Sequence, residues 1–424
     1  ALFDGNLLGL ITTNAMELGV DVGDLDATIL TGFPGTIVST WQQSGRGGRG
    51  PNDSMSVLVA SDDPLDQYLM NHPEAFFKKT FEHARTSPNN PYIQKPHLIC
   101  AAYELPLTMS DTKFFGPDML WNVDELVKEG QLNVKQSYWH ISPEVSYPAE
   151  KINIRSVGQR IYTLVDEVSG AIIETIDEIG AFSQMHPGGT YLHQGRSLLV
   201  TDLDTESLTA YCIEADLPYY TEVRDFTQTR IINEYRCRGA SNTTVHIGKV
   251  NVSTQVLGFR RKHKFTEMVL GDEHVSLPML NYDTVSLWLD VPPKALDYIR
   301  SYKLDLAGGL HAIEHASIGI LPLFAMCDRS DIGGISTPIH PDTGRPQVFI
   351  HDGHIGGVGI SELGYERAEE LIMTTLEVVT ECSCGEGCPG CVQSAKCGNN
   401  NEPLDKNVAR IILKEMLNDG SING

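Results

Sequence analysis

WQQSGRGGRG, Trp41 to Gly50, sets two arginines three residues apart among glycines. A guanidinium is a planar fork that keeps its charge and matches phosphate oxygens in pairs. Glycine lets backbone approach a ligand closely. A phosphate is therefore the first ligand this stretch suggests, and a solvated Arg/Gly loop is the plain alternative for the ten residues taken alone. Upstream, LLGLITT (Leu7–Thr13) and DATIL (Asp26–Leu30) are short β-rich runs bounded by Gly and Asp, with a brief helical pattern between them. The first 65 or so residues thus read as α/β, with the unusual residues on loops that follow strands.

Composition sets the frame around this segment. A chain of 424 residues with 41% hydrophobic content can bury sizeable cores in about two to four domains. Nothing approaches the ~18 consecutive apolar residues of a membrane span, and the first residues lack the basic start and cleavage site of a secretion signal. No membrane partner is expected. The absent initiator Met is read as the mark of a fragment. Nine cysteines, five of them crowded between Cys382 and Cys397, suit a reduced chain with one metal site rather than a disulfide framework, which favours a cytoplasmic location. A net charge of −23 argues against a surface coated for nucleic acid, although a local groove can still be positive.

From Pro96 to about Ser142 the pattern turns helical, from Ile152 to about Lys264 it is strand-rich, and the remainder is mixed. The expected architecture is α/β and α+β multidomain, with units at 1–70, 71–145, 146–265 (antiparallel β-rich) and 266–424.

TTNAMELGVDVGDLDATIL (Thr12–Leu30) and QQSGRGGR (Gln42–Arg49) follow one another at about twenty residues' spacing. Together they resemble motifs V and VI of the second RecA-like domain of superfamily-two helicases, motif VI being Q-x-x-G-R-x-G-R. Gln42, Gly45, Arg46, Gly48 and Arg49 fill its fixed positions. The resemblance implies that Arg46 and Arg49 reach the γ-phosphate of ATP as arginine fingers, with Gln42 beside them. It also implies that Gly19, Asp21, Gly45 and Gly48 shape the chain next to the nucleotide, and that Thr13 touches a nucleic-acid phosphate. No G-x-x-x-x-G-K-[ST] and no D-E-x-H box occurs in the sequence. Both belong to the first RecA-like domain, so ATP with Mg²⁺ is expected only when that domain is joined, and this chain alone is expected to be inactive.

A further series in one order extends the likeness over nearly the whole chain: DPLDQYLMNHPEAFF, PHLICAAYELPLT, HPGGTYLHQGRSLLV, LHAIEHA, CDRSDIGGIS, HDGHIGGVGISE and CPGCVQSAKCGN. It resembles the C-terminal part of the mitomycin repair factor A type of DEAD/DEAH-box DNA helicase, bacterial relatives of fungal RecQ4-like helicases. This implies a winged-helix module after the RecA-like domain, a terminal zinc-binding module, 3′ to 5′ translocation on single-stranded or forked DNA, and a role in DNA repair beside a nuclease. A DNA-binding scaffold with relic motifs is the alternative of another class.

The residues add three candidate sites of their own. CSCGEGCPGCVQSAKC offers five thiols for four places, Cys382, Cys384, Cys388, Cys391 and Cys397, and C-P-G-C is a knuckle suited to tetrahedral thiolate ligation. One structural zinc on Cys384, Cys388, Cys391 and Cys397 is expected, with Cys382 able to replace Cys384 if the loop turns differently. HAIEH, His311 to His315, matches the H-x-x-E-H pattern of inverted zinc peptidases, a reading that needs a third ligand such as His351 or His354. The glycine loop at Gly356 and Gly357 lies between a strand and a helix, where backbone N–H groups can bind an anion, or simply turn the chain. Residues 224–264 carry a local charge of +7, and Arg260, Arg261, Lys262 and Lys264 are the candidate contacts to DNA phosphate.

Overall fold

The computed structural model describes residues 7–18, 25–48, 53–78, 82, 84–150, 152 and 160–418. In the first unit β1 (Ala27–Thr31) and β2 (Met55–Val59) run parallel, Ala27 opposite Met55 and Thr31 opposite Val59. Parallel neighbours need a crossover, and α1 (Ile37–Ser44) supplies it. Thr36 starts that helix by accepting from the Ser39 N–H, and Gly45 ends it where the Arg/Gly loop begins. Next come α2 (Pro64–Asn71), opened by Asp63 accepting from the N–H groups of Leu65 and Asp66, and α3 (Pro73–Phe77).

The second unit strings α4 (Pro91–Glu104), α5 (Thr112–Phe115) and α6 (Met119–Lys128) before the hairpin of β3 (Leu132–Lys135) and β4 (Tyr138–Ile141). Leu98, Ala102, Met119, Val123, Leu126 and Leu132 close its core. Three helices followed by a two-stranded wing is a winged-helix arrangement.

A five-stranded sheet follows, ordered β6-β5-β9-β8-β7, from β5 (Ile161–Asp166), β6 (Ile172–Asp177), β7 (Thr190–His193), β8 (Arg196–Asp204) and β9 (Thr209–Glu214). It is not wholly antiparallel, because β5 runs parallel to β9. Helix α7 (Glu178–Gln184) covers it, with Phe182 against Tyr162 in a core of its own.

The largest unit is a six-stranded sheet. Strands β10 (Tyr219–Ala240) and β11 (Thr243–His263) form a long hairpin, β12 (Val269–His274) pairs with β11, and the order continues through β13 (Leu280–Asp290), β15 (Gln347–Asp352) and β14 (Ile332–Thr337). Successive side chains of a strand face opposite sides. Leu287 and Leu289 accordingly join one core with Val245, Ile247, Val348 and Ile350, while Trp288 joins another with Val250, Val252 and Phe349. Helices α8 (Pro293–Tyr302), α9 (Leu306–Ile320), α10 (Ile360–Glu366), α11 (Ala368–Glu381) and α12 (Lys406–Leu417) pack on the first face. A Cβ on Gly309 of α9 would sit 2.3 Å from Cγ1 of Val408, so glycine there lets α9 and α12 approach. The expected boundary at 265/266 is corrected by this sheet, since β11 pairs with β13 from Val245–Leu289 to Thr254–Leu280. Strand pairing, not composition, unites the two sides. Among the described residues no helix is long and apolar enough to cross a membrane.

Candidate functional site

The Arg/Gly loop is knitted to the segment before β1 by Leu25, whose carbonyl accepts from the Gly48 N–H at 3.1 Å, and by the side chain and carbonyl of Glu17. The Glu17 carboxylate accepts from Ser39 Oγ at 2.8 Å and from Gln43 Nε2 at 3.0 Å, while its backbone carbonyl accepts from Arg46 Nη2. Thr13 precedes the single 3₁₀ turn Asn14–Met16 that leads into Glu17, and it is exposed. The segment of Thr13 and the loop of Arg46 are therefore one hydrogen-bonded unit. Gln42 lies in the last turn of α1, and the Gly45 N–H closes that helix on Trp41 O at 2.9 Å. Gly48 has φ +68°, and a Cβ there would meet Ser54 Oγ at 2.3 Å, so the position needs glycine. Gly19, Asp21 and Arg49 lie outside the described residues. Sequence reasoning missed Glu17 and Gln43, although both sit inside the stretches it singled out.

At the far end of the chain four sulfurs converge. Sγ of Cys382 lies 3.5 Å from those of Cys384 and Cys388, and Sγ of Cys391 lies 3.5 Å from Cys384 and 3.8 Å from Cys388. A tetrahedral ZnS₄ centre with Zn–S near 2.3 Å has sulfur–sulfur edges of about 3.8 Å, so the cage fits zinc. The expected fourth ligand is corrected here. Cys397 stands apart, its Sγ 3.4 Å from Nε2 of His311, and Cys382 takes its place beside Cys384 rather than instead of it. The reason is local: Cys382 ends α11 facing the knuckle, whereas the chain after Val392 runs away toward α9.

Lys406, almost fully buried, directs its ammonium to the carbonyls of Cys382 and Cys384, both at 2.7 Å, and to Cys384 Sγ at 3.2 Å. A buried cation needs an anion, and four thiolates around a divalent metal carry a net charge of −2 to supply it. Burial raises the Cys384 thiol, but hydrogen bonds from Lys406 and the neighbouring thiols bring it down to about 7. Burial pushes the Cys388 thiol up to about 11. No spacing rule in the sequence points to Lys406.

Two candidate DNA contacts turn out to be engaged by the protein itself. The helix N-terminus after the glycine loop is occupied by the chain's own carboxylate: Asp352 accepts from the N–H groups of Val358 (2.6 Å), Gly359 (3.0 Å) and Ser361 (2.7 Å), and from Ser361 Oγ (2.6 Å). Gly356 and Gly357 serve packing. A Cβ on Gly356 would sit 2.4 Å from Asn90 Oδ1, and Asn90 Nδ2 donates to the carbonyls of Ile355 and Gly357 at 2.9 and 2.8 Å, fastening the start of α4 to this loop. On the basic strand Arg260 pairs with Asp272 at 2.8 Å, Arg261 with Glu273 at 2.9 Å and Lys262 with Glu222 at 2.7 Å, while Lys264 donates to Ser197 Oγ at 3.1 Å. Their carboxylates come from β10 and β12, so a charge count along one segment could not see all of them.

HAIEH lies on α9 with both histidines buried, and the Glu314 side chain lies against Gly334 of β14, where an added Cβ would sit 3.0 Å from Glu314 Oε1. His351 and His354 lie elsewhere, His351 against the backbone of Asp352 and His354 on Asp331 at 3.0 Å. Neither His351 nor His354 therefore supplies the third ligand that peptidase chemistry needs.

Comparison with known proteins matches three family models in chain order. They are the helicase conserved C-terminal domain over residues 1–51, the winged-helix domain of ATP-dependent helicase HRQ1 over 86–157, and the MrfA zinc-binding domain over 313–392. The uncharacterized ATP-dependent helicase YprA of Bacillus subtilis is 34% identical over 395 residues, 92% of this chain and 52% of that protein. ATP-dependent helicase HRQ1 of Saccharomyces cerevisiae is 30% identical over 436 residues, 98% of this chain and 40% of that protein. The crystal structure of the helicase MrfA bound to DNA matches with a TM-score of 0.59 at 32% identity, over 98% of this chain and 55% of that one. The chain therefore spans about half the length of the relatives it matches.

Proposed function

The chain belongs to the helicase family of MrfA and HRQ1, and from that membership we propose that it is the part of an ATP-dependent DNA helicase that completes the nucleotide site and grips DNA. The Glu17 clamp is the observation that carries this reading, because it makes one body of the segment that faces DNA and the loop that faces ATP. ATP with Mg²⁺ supplies the phosphoryl group whose transfer drives translocation. The first RecA-like domain cradles its phosphates, and Arg46 and Arg49 offer guanidinium forks to the charge that develops there. Thr13 contacts a DNA phosphate, and the structural zinc on Cys382, Cys384, Cys388 and Cys391 holds the terminal module in shape. The substrate is single-stranded or forked DNA, travelled 3′ to 5′ during repair in the cytoplasm, with a repair nuclease as protein partner.

In the protein joined to its first RecA-like domain, a fork with a 3′ single-stranded tail is expected to be unwound, and one with only a 5′ tail is not. Strand displacement followed by gel or fluorescence reads this, and equal unwinding of both forks would overturn the assigned polarity.

The basic strand contributes little to the grip, because its cations already have partners. Replacing Arg260, Arg261, Lys262 and Lys264 together by alanine is expected to flatten the plot of log affinity against log salt by no more than about 0.7, the value of a single contact on single strands. Fluorescence anisotropy across a salt series measures the slope, and a change near four contacts' worth would return the strand to the DNA path.

A further inference from the structure

HAIEH remains as a motif without a role, and its geometry is that of a donor set. His311 and His315 stand four residues apart on α9, so they share one face, and their ring centroids are 4.2 Å apart. Nδ1 of His311 lies 2.8 Å from Pro403 O, and Nδ1 of His315 lies 2.8 Å from Val392 O. A carbonyl can only accept, so each Nδ1 carries the proton and each Nε2 is left with its lone pair free to bind. Backbone carbonyls that fix the tautomer in this way are the usual outer partners of metal-bound histidines.

The third donor is Cys397. Its Sγ lies 3.4 Å from Nε2 of His311, and one donor atom from each of His311, His315 and Cys397 falls within 4.8 Å of the other two. The Asn401 N–H donates to that sulfur at 3.2 Å. Two imidazole lone pairs and a sulfur thus meet in a buried place, and among the three only the thiol has a proton to offer. A cation satisfies all of them at once.

We propose that His311, His315 and Cys397 hold a second metal ion of the zinc class, separate from the four-thiolate centre. Neutral imidazoles and a thiolate suit zinc, at about 2.0–2.1 Å to nitrogen and 2.3 Å to sulfur, and three protein donors leave the fourth tetrahedral place to solvent. The ion ties the chain between Val392 and Pro403 down onto α9. The inference does not depend on helicase activity.

The test is zinc content of the pure chain, made in zinc-replete medium and dialysed against metal-free buffer without chelator. Two zinc ions per chain are expected, and Cys397→Ser or His311→Ala should each leave one. Zinc X-ray absorption of the wild type should show imidazole scattering beside sulfur, lost in Cys397→Ser. One zinc per chain with a sulfur-only shell overturns the proposal, as does a second zinc that persists in both variants. If a variant fails to fold by circular dichroism, wild-type stoichiometry and absorption decide alone.

Discussion

Arg46→Ala in the protein joined to its first RecA-like domain is expected to lower kcat for DNA-stimulated ATP hydrolysis by a factor on the order of 10³, with a much smaller change in nucleotide affinity. An arginine finger acts on charge that appears only as the phosphoryl group is transferred, so its loss falls on kcat rather than on ground-state binding. Arg46→Lys should not restore the rate, since an ammonium is a point charge and cannot present two parallel donors. Arg49→Ala should behave likewise. In this structure Arg46 Nη2 donates to the Glu17 carbonyl. Steady-state kinetics with saturating single-stranded DNA provides the check, and a loss of kcat below tenfold, or one confined to KM, would remove Arg46 from the role.

The second large effect concerns the thiolate centre. Cys391 is fully buried at the middle of the knuckle, with Cys384 and Cys388 on either side and the Cys388 N–H directed at its sulfur at 3.4 Å. Metal binding to sites of this kind contributes on the order of 10 kcal/mol to folding. Cys391→Ser is therefore expected to release this zinc and unfold the chain between α11 and α12, leaving the Lys406 ammonium buried without its anion. Elemental analysis should show the loss of this zinc, together with any ion held through Cys397 in the same segment, and limited proteolysis with mass spectrometry should find new cuts between 382 and 405. His315→Ala should leave the four-thiolate zinc in place. A Cys391→Ser chain that resists protease and keeps its full metal would show that the centre is not what holds this end together.

What was legible in the sequence was what depends on neighbours along the chain. The DATIL strand and the C-P-G-C knuckle are local patterns and appear where their residues suggested, whereas Leu7–Thr13, which also reads as a β run, forms no strand. The choice between Cys382 and Cys397 was not local. A spacing of five residues from Cys391 to Cys397 permits ligation, but the carbonyls of Val392 and Pro403 engage His315 and His311 and carry that loop elsewhere. Of the two readings open for the glycine loop the sequence could not choose, because Asp352, six residues before Val358, meets its N–H groups only in the folded turn. The partners of the basic strand were illegible for a related reason: Glu222, Asp272 and Glu273 become its neighbours only through the register of β10 and β12. Glu17 was overlooked because glutamate beside a glycine turn has no distinctive spacing, and only the approach of α1 gives it three partners.

Strand β11 has a mechanical meaning. Its 21 residues span roughly 70 Å at about 3.3 Å each, and along that length Val245 and Ile247 are embedded under the helices, Val250 and Val252 on the opposite face, and Val256 in the five-stranded sheet's core. It acts as a beam clamped at three points. Bending it between clamps means breaking ladder bonds to β10 on one side and β13 or β12 on the other. A pull applied to the small sheet is therefore delivered to the metal-bearing end with little give.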